Sequence, residues 1–156
     1  LIMAAQVELS FPARPVHVRT ARQIAVSLAR RAELAEEILD EIRLAVAEAC
    51  GLALAVLRQA RTDGAVAVDF DDSDGFTVEV RAEAPLPVAT GTAALDVVIH
   101  AANTGAEDGE QLPAGAALAV LAEVAPVLDA ATSAHGMRLR LSWPTVADLG
   151  PPGHTA

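Results

Sequence analysis

Residues 31–61 read RAELAEEILDEIRLAVAEACGLALAVLRQAR, and the period of this stretch decides the fold. Ile38, Ile42, Ala45, Val46, Ala49, Ala53 and Val56 recur at three- and four-residue steps, which places them on one helical face. Glu36, Asp40, Arg43, Arg58 and Arg61 fall on the opposite side, where charge stays solvated. The spacing predicts a long amphipathic core helix over Glu33–Arg61. Glu48 breaks the division, at the flank of the apolar stripe, one turn from Leu44 and one from Leu52. An acid there costs free energy unless it is solvated, paired or used in a pocket.

On the N-terminal side, Val7–Phe11 alternates and predicts a first strand. Pro12 and Pro15 end it, and Pro15 suits the first turn of a helix. Val18, Ala21, Ile24, Ala25 and Leu28 then keep helical spacing to about Ala32, leaving Arg19, Arg22, Gln23 and Arg30 on or near the other face. On the C-terminal side, Thr62-Asp63-Gly64 stops the long helix, with Gly64 as the expected left-handed cap. Ala65–Phe70 and Phe76–Ala82 alternate with period two around Asp71-Asp72-Ser73-Asp74-Gly75, a turn sequence. This predicts an antiparallel hairpin. Two strands need a covering layer, which the two preceding helices supply.

Residues 83–113 are irregular, punctuated by Pro85, Pro87, Gly91, Gly105, Gly109 and Pro113, with a short helix expected over 92–102. Ala114–Glu123 has a helical pattern, and Pro126 argues against its continuation. A strand at Val127–Ala130, a turn at Ser133–Gly136 and a last strand at Met137–Trp143 complete the pattern. The expected organisation is an N-terminal tail (1–6), one domain (7–144) and a disordered Pro/Gly-rich tail (145–156).

Composition bounds the function. The chain has 156 residues, enough for one domain with a real core, and is 53% hydrophobic with only 3% aromatic residues. No apolar run approaches the roughly 20 residues of a membrane span, and no secretory pattern opens the chain. With the single Cys50, which excludes an internal disulfide, the expectation is a cytoplasmic protein. The net charge of −10 argues against nucleic acid as a partner. The cations are segregated: residues 9–32 hold five Arg and no acid, whereas 62–156 hold fourteen acids and three Arg. All eleven cations are Arg, the side chain better suited to bidentate contact with carboxylates.

Other motifs read as structure. His17, His100, His135 and His154 show no metal-ligand spacing. Asp71, Asp72 and Asp74 resemble part of a calcium loop, but Gly75 is misplaced and no Glu follows at the required distance, so a solvated hairpin tip is expected. Cys50 is expected to be a small buried residue. Arg30 and Arg31 have Glu33, Glu36 and Glu37 nearby as partners, whereas Arg14, Arg19 and Arg22 have no neighbouring acid in sequence.

The element order and three stretches resemble the RsbW/SpoIIAB family of anti-sigma factors, small histidine-kinase-type ATPase-like domains of the GHKL class. FPARPVHVRTAR (11–22) is similar to the family's opening, LDEIRLAVAEAC (39–50) to the approach to its N-box helix, and HGMRLRLSWP (135–144) to its closing strand. The resemblance implies an α+β fold, a two-layer α/β sandwich of the Bergerat type with a mostly antiparallel sheet covered by helices. It implies sequestration of a sigma factor, release by a STAS-type antagonist and, in many members, a homodimer, to which the edge strand Val7–Phe11 is suited. It makes Arg14, His17, Arg19 and Arg22 candidates for partner binding, because the family's first helix contributes to it.

The resemblance also implies ATP-dependent serine/threonine kinase activity, and here the sequence departs from the family. The N-box Glu-Ala-x-x-Asn-Ala is Glu48-Ala49-Cys50-Gly51-Leu52-Ala53, so Leu52 replaces the magnesium ligand. Arg81–Pro87 replaces the glycine-containing adenine motif, and Pro113–Leu118 has one glycine where a phosphate lid needs several. The expectation is no ATP or magnesium cofactor and no turnover. Two readings of Glu48 stand: a vestigial catalytic acid, or a flank acid that is solvated or paired with an Arg.

Overall fold

The computed structural model describes residues 6–61, 63–84, 120–133 and 135–144. Five strands and two long helices follow in the order β1 (Gln6–Pro12), α1 (Val16–Arg31), α2 (Glu36–Gln59), β2 (Ala65–Asp71), β3 (Phe76–Glu83), β4 (Val127–Ser133) and β5 (Gly136–Trp143). The strands form one antiparallel sheet in the order β1-β2-β3-β5-β4. This is the α+β sandwich that the alternation and helical spacing predict.

Strand alternation builds the inner layer. Val66, Val68 and Phe70 of β2, Phe76, Val78, Val80 and Ala82 of β3, and Met137, Leu139, Leu141 and Trp143 of β5 are all buried. Register stacks them across strands: Phe70 opposes Val78, which opposes Leu141, and Val68 opposes Val80, which opposes Leu139. Each large apolar side chain removed from water contributes about 1.5–3 kcal/mol. The alternate residues Asp69, Glu79, Arg81, Arg138 and Arg140 face away from this core. There Arg81 donates to Asp69 at 2.7 Å and to Glu79 at 3.3 Å. Trp143 is anchored twice: it packs against Phe76, ring centroids 6.4 Å apart, and donates its indole N–H to the carbonyl of Val124 at 3.0 Å.

α1 and α2 pack against each other, and both reach the sheet: α1 at β1 and β2, α2 mainly at β3 and β5. Ile42, Ala45, Val46, Ala49 and Ala53 are buried, and Ala21, Ala25 and Ala29 present small side chains from α1. Small residues on both helices let the two axes approach closely.

Three expected features are corrected. The long helix begins at Glu36, not Glu33, because α1 ends in a left-handed turn at Glu33 (φ 62°). The Glu33 and Leu34 amides donate back to the carbonyls of Arg30 (3.1 Å) and Ala29 (3.2 Å), the double bond of a Schellman cap. Leu34 is buried and holds the turn in place. At the other end the left-handed residue is Arg61 (φ 51°), with Gly75 and Gly136 the positive-φ glycines among the described residues. Arg61 thus takes the cap position expected of Gly64. β4 also runs three residues past Ala130, because Thr132 and Ser133 pair with Met137 and Gly136. The expected helix over 92–102, most of that over 114–123 and the tail 145–156 lie outside the described residues; residues 120–124 are helical.

Candidate functional site

α1 carries its polar residues on one continuous stripe, because its apolar positions Ala21, Ala25, Val26 and Ala29 are taken by the core. Arg19, Arg22, Gln23, Ser27 and Arg30 line a groove of about 490 Å³, with Val26 in its wall and Arg43 of α2 on the far side. Sequence spacing alone misses Arg43, which reads as one more solvated charge on the wet face of α2. The signal is available only from pairing the two helices antiparallel through their short connection, which sets residue 43 opposite the middle of α1.

The electrostatics of the groove are uneven. Arg30 approaches Glu36 at 3.7 Å, the type of pairing that sequence proximity suggests, and Arg43 pairs with Asp40 one turn earlier on its own helix. Neither Arg19 nor Arg22 has a carboxylate partner among the described residues. Two guanidinium groups are matched and two are left over, on a chain whose net charge is −10.

Arg14 and His17 lie outside this groove. Arg14 is exposed in the turn between β1 and α1, where its amide donates to Pro12 and its carbonyl accepts from His17. The His17 ring is half-buried against Phe11, with centroids 5.8 Å apart. The structure therefore brings together Arg19 and Arg22 and leaves Arg14 and His17 at the start of the helix.

The N-box-like stretch lies mid-way along α2. Glu48 is half-buried and has no hydrogen-bond or ion-pair partner among the described residues. Leu44, one turn before it, is 42% exposed, whereas Leu52, one turn after, is 3% exposed. The apolar stripe therefore widens toward the C-terminal half of the helix, where Leu52, Ala53, Leu54, Val56 and Leu57 are all buried. Magnesium requires oxygen ligands, and Leu52 supplies hydrocarbon at the position where the resemblance implies one. At the end of β3, the amide of Ala84 already donates to the carbonyl of His135 at 3.0 Å, and Ala84 is buried. At these two positions the residues present do not fit a magnesium nucleotide. Among the described residues, no group of three or more His, Cys, Asp or Glu is placed to hold a metal ion.

A second groove, of about 670 Å³, lies where β3 meets the β4–β5 hairpin and is lined by Arg81, Glu83, Ser133, His135 and Arg138. Its cations are matched: Arg81 by Asp69 and Glu79, Arg138 by Asp129 at 3.8 Å. Asp71, at the start of the β2–β3 turn, serves the turn itself. Asp71 accepts the Ser73 amide at 2.8 Å and the Gln6 side-chain amide at 3.1 Å. These hydrogen bonds, with Ser73 contributing most, hold its carboxyl below the usual carboxylate range. Cys50 lies in the core, and burial pushes its thiol up to about 12. No helix among the described residues is long and apolar enough to cross a membrane.

No curated protein matches the sequence. A sequence model of the histidine kinase-like ATPase domain matches residues 11–143, a span that begins at the buried end of β1 and closes on the Trp143 anchor. With the five-stranded antiparallel sheet and its helical cover, this match shows that the chain belongs to the histidine kinase-like ATPase domain family.

Proposed function

We propose that this protein is an anti-sigma regulatory factor. It holds a sigma factor by surface contact, keeps it from RNA polymerase and is released by a STAS-domain antagonist, without ATP turnover. One observation carries the reading: the frame of a histidine kinase-like ATPase domain is kept while the N-box metal position is the buried Leu52. A domain that keeps its frame and lacks that ligand is better suited to binding than to phosphoryl transfer. The partner-binding surface is α1 and its approach, with Arg14, His17, Arg19 and Arg22; arginine is enriched among residues that dominate interfaces. On this reading the protein works in the cytoplasm, and its partners are proteins rather than nucleic acid or membrane. β1, an edge strand of the sheet among the described residues, is suited to pairing with a second copy. Co-purification of the tagged protein with the sigma factors of its host tests the reading. Recovery of a stoichiometric complex supports it, and the absence of any sigma factor from the eluate removes it.

Glu48 favours a second reading. It is a half-buried acid with no partner among the described residues, at the N-box position of the family's catalytic acid. A divergent serine/threonine kinase acting on the antagonist would use it as base. Calorimetry with magnesium and ATP decides between the two, since a kinase must give a binding isotherm at millimolar nucleotide.

A further inference from the structure

We infer that the groove between α1 and α2 binds an extended acidic segment of a protein partner, with Arg43 as its second wall. The inference rests on the partner-binding reading of α1 and adds the chemistry of what binds there. Arg19, Arg22, Gln23, Val26, Ser27 and Arg30 fall at i, i+3, i+4, i+7, i+8 and i+11 of α1, along one face. They form a row about 16 Å long at 1.5 Å per residue, which an extended peptide of about five residues spans. The arginines of α1 are spaced along this row, at 19, 22 and 30, with Arg43 facing them from α2, which suits several carboxylates spaced along a chain better than a single small anion. Gln23 and Ser27 are exposed between them and provide donors and acceptors for a peptide backbone.

The internal ion pairs define the order of events. Arg19 and Arg22 have no carboxylate partner among the described residues and receive the first acids directly. Arg30 and Arg43 are shared with the exposed Glu36 and Asp40. Exposed pairs of this kind are weak, so an incoming carboxylate displaces them at little cost. Nucleic acid is disfavoured because none of the described residues lining the groove is an aromatic side chain on which a base would stack.

A fluorescein-labelled oligoglutamate peptide, titrated into the full chain at low and high salt, tests the inference. The expected result is saturable binding that weakens with salt and falls about tenfold in the Arg22→Glu/Arg43→Glu double variant. It should be unchanged in Arg58→Glu, which carries the same kind of charge change on an exposed position of α2 outside the groove. Far-UV circular dichroism of each variant confirms that the fold persists. Absence of oligoglutamate binding, or equal loss in Arg58→Glu, overturns the inference. Equal or tighter binding of a single-stranded oligonucleotide of the same charge, lost in the same double variant, overturns the protein assignment. Sigma-factor capture without oligoglutamate binding leaves the sequestration reading standing and removes this one. Oligoglutamate binding without sigma-factor capture does the reverse.

Discussion

Gly136 begins β5 pressed against the backbone of Ala82: a Cβ at residue 136 would overlap the Ala82 carbonyl oxygen and crowd the Ala84 amide. The neighbouring Ala84 amide is held by the carbonyl of His135, so neither backbone can retreat without breaking that bond. Gly136 also has φ +145°, a conformation that side chains oppose. Gly136→Ala is therefore expected to destabilise the fold by about 2–4 kcal/mol, read as a lower urea midpoint with an unchanged slope. An effect within the error of the extrapolation would show that the two strands separate at little cost.

The left-handed turn at Glu33 gives a prediction of opposite sign. Left-handed backbone costs a non-glycine residue about 1–2 kcal/mol, and the exposed Glu33 side chain has no ion pair among the described residues to offset it. Glu33→Gly is expected to stabilise the protein by about 0.5–1 kcal/mol, since glycine is the preferred residue at this cap position. Glu41→Gly, the same substitution inside α2, should destabilise by about 1 kcal/mol. Thermal melts of the two variants side by side check the contrast, and equal shifts would mean that Glu33 is not under strain.

These caps also show why some features could be read in the sequence and others could not. β2, β3 and β5 were legible because one face of each is buried, so burial and alternation coincide along each of these three strands. The start of α2 was not legible. Glu33 is a good helix former, and the break there is imposed by docking of Leu34 into the core, a long-range contact that spacing does not reveal. The same limit applies to the site. Arg19 and Arg22 announce themselves by lacking acids nearby in sequence, whereas Arg43 has Asp40 beside it and joins the groove only through the helix pairing. β4 ends in Ala-Ala-Thr-Ser, where only Thr132 favours a strand, and is taken as far as Ser133 by register with β5.

Cys50 links the core to pH. Its thiol is pushed from the model-compound value of 9.0 up to about 12 by burial. The folded state thus holds the proton more tightly than the unfolded chain. The contribution is fully present below pH 9 and is lost as pH rises from 9 toward 12, because the unfolded chain ionises first. The slope across that window is at most about 1.4 kcal/mol per pH unit. Cys50→Ala should remove this component, so that its stability falls less steeply than that of the parent between pH 9 and 10.5 in chemical denaturation. In the native parent the thiol should also resist alkylation at pH 8, reacting only after denaturant is added.

Leu52 decides how the nucleotide-binding reading should be tested. Leu52→Asn introduces the residue that the N-box resemblance implies and puts an amide where the present side chain is 3% exposed and packed with hydrocarbon. The substitution is expected to cost about 2–4 kcal/mol, from lost apolar burial and an amide without assured partners. It is not expected to confer magnesium-dependent ATP binding, because the end of β3 is closed by the Ala84–His135 hydrogen bond and offers no glycine between Arg81 and Ala84. Calorimetry with ATP and magnesium on the parent and on Leu52→Asn checks both halves of the prediction. Heat in the variant alone would show that one residue separates this domain from a nucleotide-binding relative. Heat in the parent would transfer the assignment of Glu48 from a flank acid to a working base. Neither response leaves α2 as a scaffold whose present role is to hold α1 and its arginines in place.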